Sequence, residues 1–129
     1  MQKKFSLLGD VQDVGLRIGL VNDGMSNNVK AYPHNSSTNK NHVDVTVVGS
    51  EKDIQKFYND VKKDLRINKK GNNYSVTPLE DYKEKVPDWT WVTIKIIIEQ
   101  LKKGVFEYFE IKTLLEKLVK KKRNRRKSH

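Results

Sequence analysis

Residues 43–58 read Val43-Asp44-Val45-Thr46-Val47-Val48-Gly49-Ser50-Glu51-Lys52-Asp53-Ile54-Gln55-Lys56-Phe57-Tyr58. Val43, Val45 and Val47 alternate with Asp44 and Thr46, the period of two that turns one side of a strand toward a core. Gly49 interrupts the pattern, and Ser50 precedes Asp53 by three positions, a variant of the capping box that opens a helix. Beyond it Ile54, Phe57, Tyr58, Val61 and Leu65 recur at helical spacing and share one face. A strand feeding a capped amphipathic helix is therefore the centre from which the rest of the chain is read.

Upstream, residues 35–41 (Asn-Ser-Ser-Thr-Asn-Lys-Asn) form a polar hairpin loop, and residues 29–32 a strand expected to stop at Pro33. Val14, Ile18, Val21 and Met25 fall at intervals of four, three and four, one face of a helix. Gly19 and Gly24 each weaken that helix by up to ~1 kcal/mol relative to alanine. Residues 5–8 suit a buried first strand ending at Gly9. Downstream, residues 68–73 make a turn and residues 74–77 a last strand before Pro78. The order β-α-β-β-α-β predicts an α+β, ferredoxin-like sandwich, with an antiparallel sheet burying one face under two helices.

Past Pro87 the character changes. Ile94, Ile97, Ile98 and Leu101 predict one further helix ended by Gly104, and Tyr108, Ile111, Leu115 and Leu118 a second. Residues 91–95 also fit a short edge strand. The expected organisation is a domain over 1–88, a C-terminal extension of two helices over 89–119, and a basic tail over 120–129. The apolar faces of the added helices must be buried, against the domain or against another chain.

Leu, Ile, Val and Phe make up 36 of 129 residues, enough for a core. The net charge is +10, yet residues 117–127 hold eight basic residues and no acidic one. The remainder carries 26 − 8 = 18 basic against 16 acidic residues, which excludes a basic folded body. No apolar run exceeds the three residues Ile96, Ile97 and Ile98, so no segment spans a membrane, and residues 1–5 do not read as a signal peptide. Cytoplasmic localisation is the default expectation. The absence of cysteine excludes disulfides, thiolate metal sites and cysteine nucleophiles.

The junction between the first strand and first helix reads Gly9-Asp10-Val11-Gln12-Asp13-Val14-Gly15-Leu16-Arg17. A turn at a helix N-terminus offers backbone N–H groups to an anion, and the helix dipole favours negative charge there. Arg17 adds a fork of donors suited to phosphate or carboxylate oxygens. On these grounds alone, an arginine near a helix start is more often a solvated surface residue.

The pattern Gly-x-Val-Gln-x-Val-x-x-Arg resembles the signature of the acylphosphatase family, whose usual form is Gly-x-Val-Gln-Gly-Val-x-Phe-Arg. Asn35 lies eighteen residues after Arg17, the spacing at which the family carries an asparagine. The approach to it, Val29-Lys30-Ala31-Tyr32-Pro33-His34, and the second-helix start at Gly49-Ser50 are also similar. The resemblance covers roughly residues 3–80. It implies a small βαββαβ domain that hydrolyses acyl phosphates without metal or cofactor. It further implies that the backbone at Asp10, Val11, Gln12, Asp13 and Val14 cradles the phosphoryl group, that Arg17 grips its oxygens, and that Asn35 positions the attacking water. Asp13 stands where the family has glycine, and Leu16 where it has phenylalanine. A carboxylate ~5 Å from a phosphate at an effective dielectric near 20 costs about 3 kcal/mol per unit charge.

Other residues carry less. His34 and His42 lack the neighbouring ligands of a metal site and read as surface histidines. Trp89 and Trp91 read as packing residues rather than a platform for bases. The sequence Asn35-Ser36-Ser37 matches a glycosylation acceptor without an accompanying secretory signal. The tail is either a solvated helix end or a contact for nucleic acid or an anionic surface. Two functions are therefore expected in order: acylphosphatase first, then a non-catalytic phosphate- or nucleic-acid-binding module.

Overall fold

The computed structural model describes residues 1–9, 16–38, 42–63, 75–102 and 108–127, with backbone alone at 108–111 and 122–127. Strand β1 (Gln2–Leu8) leads to helix α1 (Leu16–Ser26), strands β2 (Lys30–Asn35) and β3 (Val43–Val48), and helix α2 (Glu51–Lys63). Two short strands, β4 (Ser75–Val76) and β5 (Glu80–Asp81), precede helices α3 (Trp89–Lys102) and α4 (Tyr108–Lys127). The sheet order is β2-β3-β1-β4, with β5 also pairing β1, and every pairing is antiparallel. This is the ferredoxin-like β-α-β-β-α-β core with two added C-terminal helices. Its last strand is broken in two around Pro78, which has no N–H for the ladder.

The alternation expected of residues 43–47 is met. Val43, Val45 and Val47 are buried with Phe5, Leu7 and Ala31 on one sheet face, against Leu20 of α1 and Ile54, Phe57, Tyr58 and Val61 of α2. The Ser50 hydroxyl accepts a bond from the Asp53 N–H at 3.1 Å, the cap read from sequence. Leu65 and the turn at 68–73 lie outside the described residues.

Strand β2 does not stop at Pro33 but runs through it to Asn35. It is an edge strand, and the Ala31 carbonyl accepts a bond from the Trp89 indole at 3.1 Å, so it faces away from β3. Pro33, two residues on, directs its missing N–H to the same outer side, where no ladder bond is lost. Trp89 thus covers the sheet edge, and residues 91–95 are helical.

The stripe Ile18, Val21 and Met25 packs on the extension: Ile18 and Val21 are buried with Tyr32, Trp89, Ile96, Ile97 and Leu114, and Met25 sits beside them. Helix α1 is therefore covered on both sides. Gly24 permits its close approach to the sheet, since a Cβ there would lie 3.1 Å from the Cβ of Ala31. Asn28, at φ 61°, ends the helix, and the Val29 N–H returns to the Gly24 carbonyl at 2.9 Å, a Schellman closure.

Both added helices differ from their expected faces. In α3 the buried positions are Trp89, Thr93, Ile96, Ile97 and Gln100, whereas Ile98 and Leu101 are exposed. The Trp89 bond to β2 sets the rotation of α3, turning the apolar stripe by about one residue, or ~100°. In α4 Leu114 is fully buried and Leu115 exposed. Lys117 ties α4 to α1 through the Asn22 carbonyl at 3.4 Å and the Ser26 hydroxyl at 3.4 Å. Gly104 lies outside the described residues. Helix α4 continues through the basic stretch to Lys127.

Candidate functional site

The site expected at the β1–α1 junction begins with Gly9. Its φ of 128° lies where a side chain is strained, which explains glycine at the strand exit. The cradle residues Asp10, Val11, Gln12, Asp13 and Val14 lie outside the described residues. Arg17 is the second residue of α1, and Asn35 is the last residue of β2.

The register places Asn35 at the end of the sheet where β1 exits. Leu7 pairs with Val43, and Val43 with Asn35, so the three form one rung across β1, β3 and β2. With strands about 4.8 Å apart, Asn35 sits two strand spacings, roughly 10 Å, from the place where β1 leaves the sheet. It is on the same face as Val43 and Leu7, the face that carries α1. The Asn35 Oδ1 atom is buried and has no hydrogen-bond partner among the described residues. A buried acceptor of this kind requires a donor.

Arg17 is not a solvated surface residue. Its side chain is 9% exposed, and its guanidinium donates to the Glu99 carboxylate of α3 at 2.8 Å. The short distance and the ionised partners make this a charge-assisted bond. Arg17 therefore already holds an oxyanion, in a setting where solvent competes little for its donors. Sequence reading missed Glu99, which lies eighty-two residues from Arg17. The one available signal was that Glu99 is the sole acidic residue of α3.

The remaining candidates separate from this site. His34 is exposed and lies 3.8 Å from Asp44, a contact that is ionic only when the imidazole is protonated. Among the described residues no group of three or more His, Asp or Glu is arranged to hold a metal ion. Trp89 is buried in the interface with the extension, whereas Trp91 is exposed with Lys95 over its ring. Burial, then the nearby Asp88 carboxylate, raise the Tyr32 phenol above its ordinary value and keep it neutral. Among the described residues no helix is long and apolar enough to cross a membrane.

No family model matches the sequence, and neither does any curated protein. Among solved structures, the chain is similar to acylphosphatase from Bacillus subtilis at 19% identity and a TM-score of 0.46, over 67% of this chain and 88% of that one. It is also similar to full-length HypF in its phosphate- and nucleotide-bound form at 23% identity and a TM-score of 0.44, over 67% of this chain. The match spans only 10% of the HypF chain. The protein is a ferredoxin-like domain with two added helices, similar to the acylphosphatases at Gly9, Val11, Gln12, Val14, Arg17 and Asn35.

Proposed function

We propose that this chain is an acylphosphatase-like hydrolase, cleaving the carboxyl–phosphate bond of acyl phosphates to carboxylate and phosphate. The observation that carries the reading is the Arg17 guanidinium, largely buried at the start of α1 and gripping a carboxylate oxygen at 2.8 Å. A seat that holds one oxyanion so closely suits another, and phosphate offers more oxygens to the same fork. In the proposed reaction Glu99 swings off Arg17 as the phosphoryl group arrives. Backbone N–H groups of residues 10–14 and the α1 dipole take the remaining phosphoryl charge. Asn35 Oδ1 accepts a hydrogen bond from the attacking water and orients its oxygen toward phosphorus. The new P–O bond forms as the bond to the carboxyl oxygen breaks. The carboxylate leaves with the electron pair, and the water's proton passes to solvent. No strong general acid is required, and the protein's share is positioning and charge stabilisation.

The test is hydrolysis of acetyl phosphate by the parent chain and by Arg17→Ala. The expected result is turnover in the parent and loss of both turnover and phosphate binding in the variant, with the far-UV spectrum unchanged. Equal rates in the two would remove Arg17 from the site.

The Arg17–Glu99 pair itself favours a second reading. If Glu99 remains on Arg17 as a structural clasp, the domain is a phosphate-binding module without turnover. Titration with inorganic phosphate beside the acetyl phosphate assay separates the two, because a binding module takes up phosphate yet leaves acetyl phosphate intact.

A further inference from the structure

A groove of about 810 Å³ opens on the far side of the molecule's added helices, between the end of α1, the β2–β3 pair and α4. Four of its lining residues are lysines: Lys30 from β2, and Lys117, Lys120 and Lys121 from α4. None of the described lining residues is acidic. Among the described residues Lys117 donates to the Asn22 carbonyl, the Asn22 amide oxygen and the Ser26 hydroxyl, all uncharged, so these bonds set its position without cancelling its charge. Lys121 rests over the Trp89 ring at 4.7 Å, which likewise fixes where its ammonium lies. The floor between the lysines is apolar and includes the partly buried Met25 and Val48.

We infer that this groove binds single-stranded nucleic acid, independently of the phosphoryl site at Arg17. Phosphates of the strand run along the lysines, and sugars and bases lie on Met25 and Val48. Helix α4 leaves the groove and continues to Lys127, adding Lys122, Arg123, Arg125, Arg126 and Lys127 in sequence. A ligand that meets both is an extended polyanion rather than a single phosphate. The apolar floor distinguishes the ligand further, because inorganic polyphosphate has no apolar part to place there. Trp89 is buried beneath Lys121 and offers no open ring face, so bases rest on the aliphatic floor without stacking, and binding is independent of base sequence.

A membrane surface fits less well. Among the described side chains of α4, Leu115 and Val119 are the exposed apolar ones, at 45% and 52%. At 100° per residue they lie about 160° and 200° around the helix from Lys117, opposite the groove. A bilayer that took up Leu115 and Val119 would leave the groove and its lysines on the water side, so the groove itself is not the membrane contact.

The test measures anisotropy of a fluorescent single-stranded oligonucleotide against salt, with the full chain, Lys30→Gln/Lys120→Gln, and a chain truncated after Lys121. Lys117 and Lys121 are left intact because they brace α4. The expected result is binding by the parent and a loss of about tenfold in the double variant, at unchanged thermal stability. Two lost phosphate contacts at ~0.7 each should flatten the log–log salt slope by about 1.4. The truncated chain should bind more weakly and still respond to Lys30→Gln/Lys120→Gln. A double variant that binds like the parent overturns the inference, leaving at most a tail contact. So does a duplex bound as tightly as the single strand, or inorganic polyphosphate competing equally per phosphate. Binding to anionic vesicles with none to the oligonucleotide would replace it with a membrane contact.

Discussion

Arg17 and Glu99 stand eighty-two residues apart in sequence and meet at 2.8 Å, joining the first turn of α1 to the added helix α3. The two partners are unequally placed: the arginine side chain is 9% exposed and the glutamate 53%. Glu99 can therefore leave for solvent at modest cost, whereas Arg17 cannot leave its site and depends on whichever anion is present. On the proposed function, that asymmetry would make Glu99 the partner that an incoming anion displaces.

Glu99→Gln removes the competing carboxylate. Inorganic phosphate should then bind more tightly, by about 1 kcal/mol or fivefold, a figure reduced from that of a buried charged bond because Glu99 is half exposed. Without phosphate the variant should melt lower than the parent, and added phosphate should restore more stability to it. Calorimetric titration together with thermal melts checks both parts. Weaker phosphate binding in Glu99→Gln would mean that Glu99 orients Arg17 instead of competing for it.

Asn35→Ala should lower kcat for acetyl phosphate far more than it weakens phosphate binding, because water positioning acts chiefly in the transition state. The motive is the buried Oδ1 without a described partner, at the sheet end where β1 exits. Steady-state kinetics beside phosphate titration decides the matter. Equal losses in both would make Asn35 a ligand to phosphate.

Asp13→Gly should raise acyl phosphate hydrolysis, by up to the ~3 kcal/mol expected for a carboxylate ~5 Å from the phosphate at a dielectric near 20. The gain should shrink at high salt if it is screened charge. Glycine also adds unfolded-state entropy, on the order of 0.5–1 kcal/mol, so stability is measured separately from rate. An unchanged rate and affinity would identify Asp13 as a neutral replacement.

Trp89→Phe keeps an aromatic ring in the interface but deletes the donor to the Ala31 carbonyl. Loss of that partner should cost about 1–2 kcal/mol, read as a lower urea midpoint. Trp91→Ala, at an exposed position of the same helix, should change stability by no more than about 0.5 kcal/mol. Similar losses in the two would show that the edge bond contributes little.

The local chemistry of the sandwich is written in short stretches of sequence. The alternation of Val43, Val45 and Val47, the Ser50 cap and the stripe from Ile54 to Val61 depend on neighbours within a few positions, so they are legible without tertiary information. The spacing of Arg17 and Asn35 is equally local in effect, since one hairpin arm and one helix start carry it. Pro33 was misleading for a reason sequence does not contain: whether proline ends a strand depends on which side of the sheet its missing N–H faces.

Tertiary structure decided everything that required two distant segments to meet. The repeat Ile94, Ile97, Ile98 and Leu101 announces a helix, but periodicity leaves its rotation open. The bond from Trp89 to the edge of β2 chose a face containing Thr93 and Gln100 and left Ile98 and Leu101 outside. The outer stripe of α1 is apolar in sequence, and only packing showed that its cover is the extension. Arg17 reads as a surface residue or an anion ligand until α3 closes over it. The sequence by itself determined the order of the main strands and helices, because that depends on local periodicity and capping. The end of β2, the pairing of β5 and the helical state of residues 91–95 waited on the fold. The fold determined which carboxylate reaches Arg17, because Glu99 becomes its neighbour only through long-range packing.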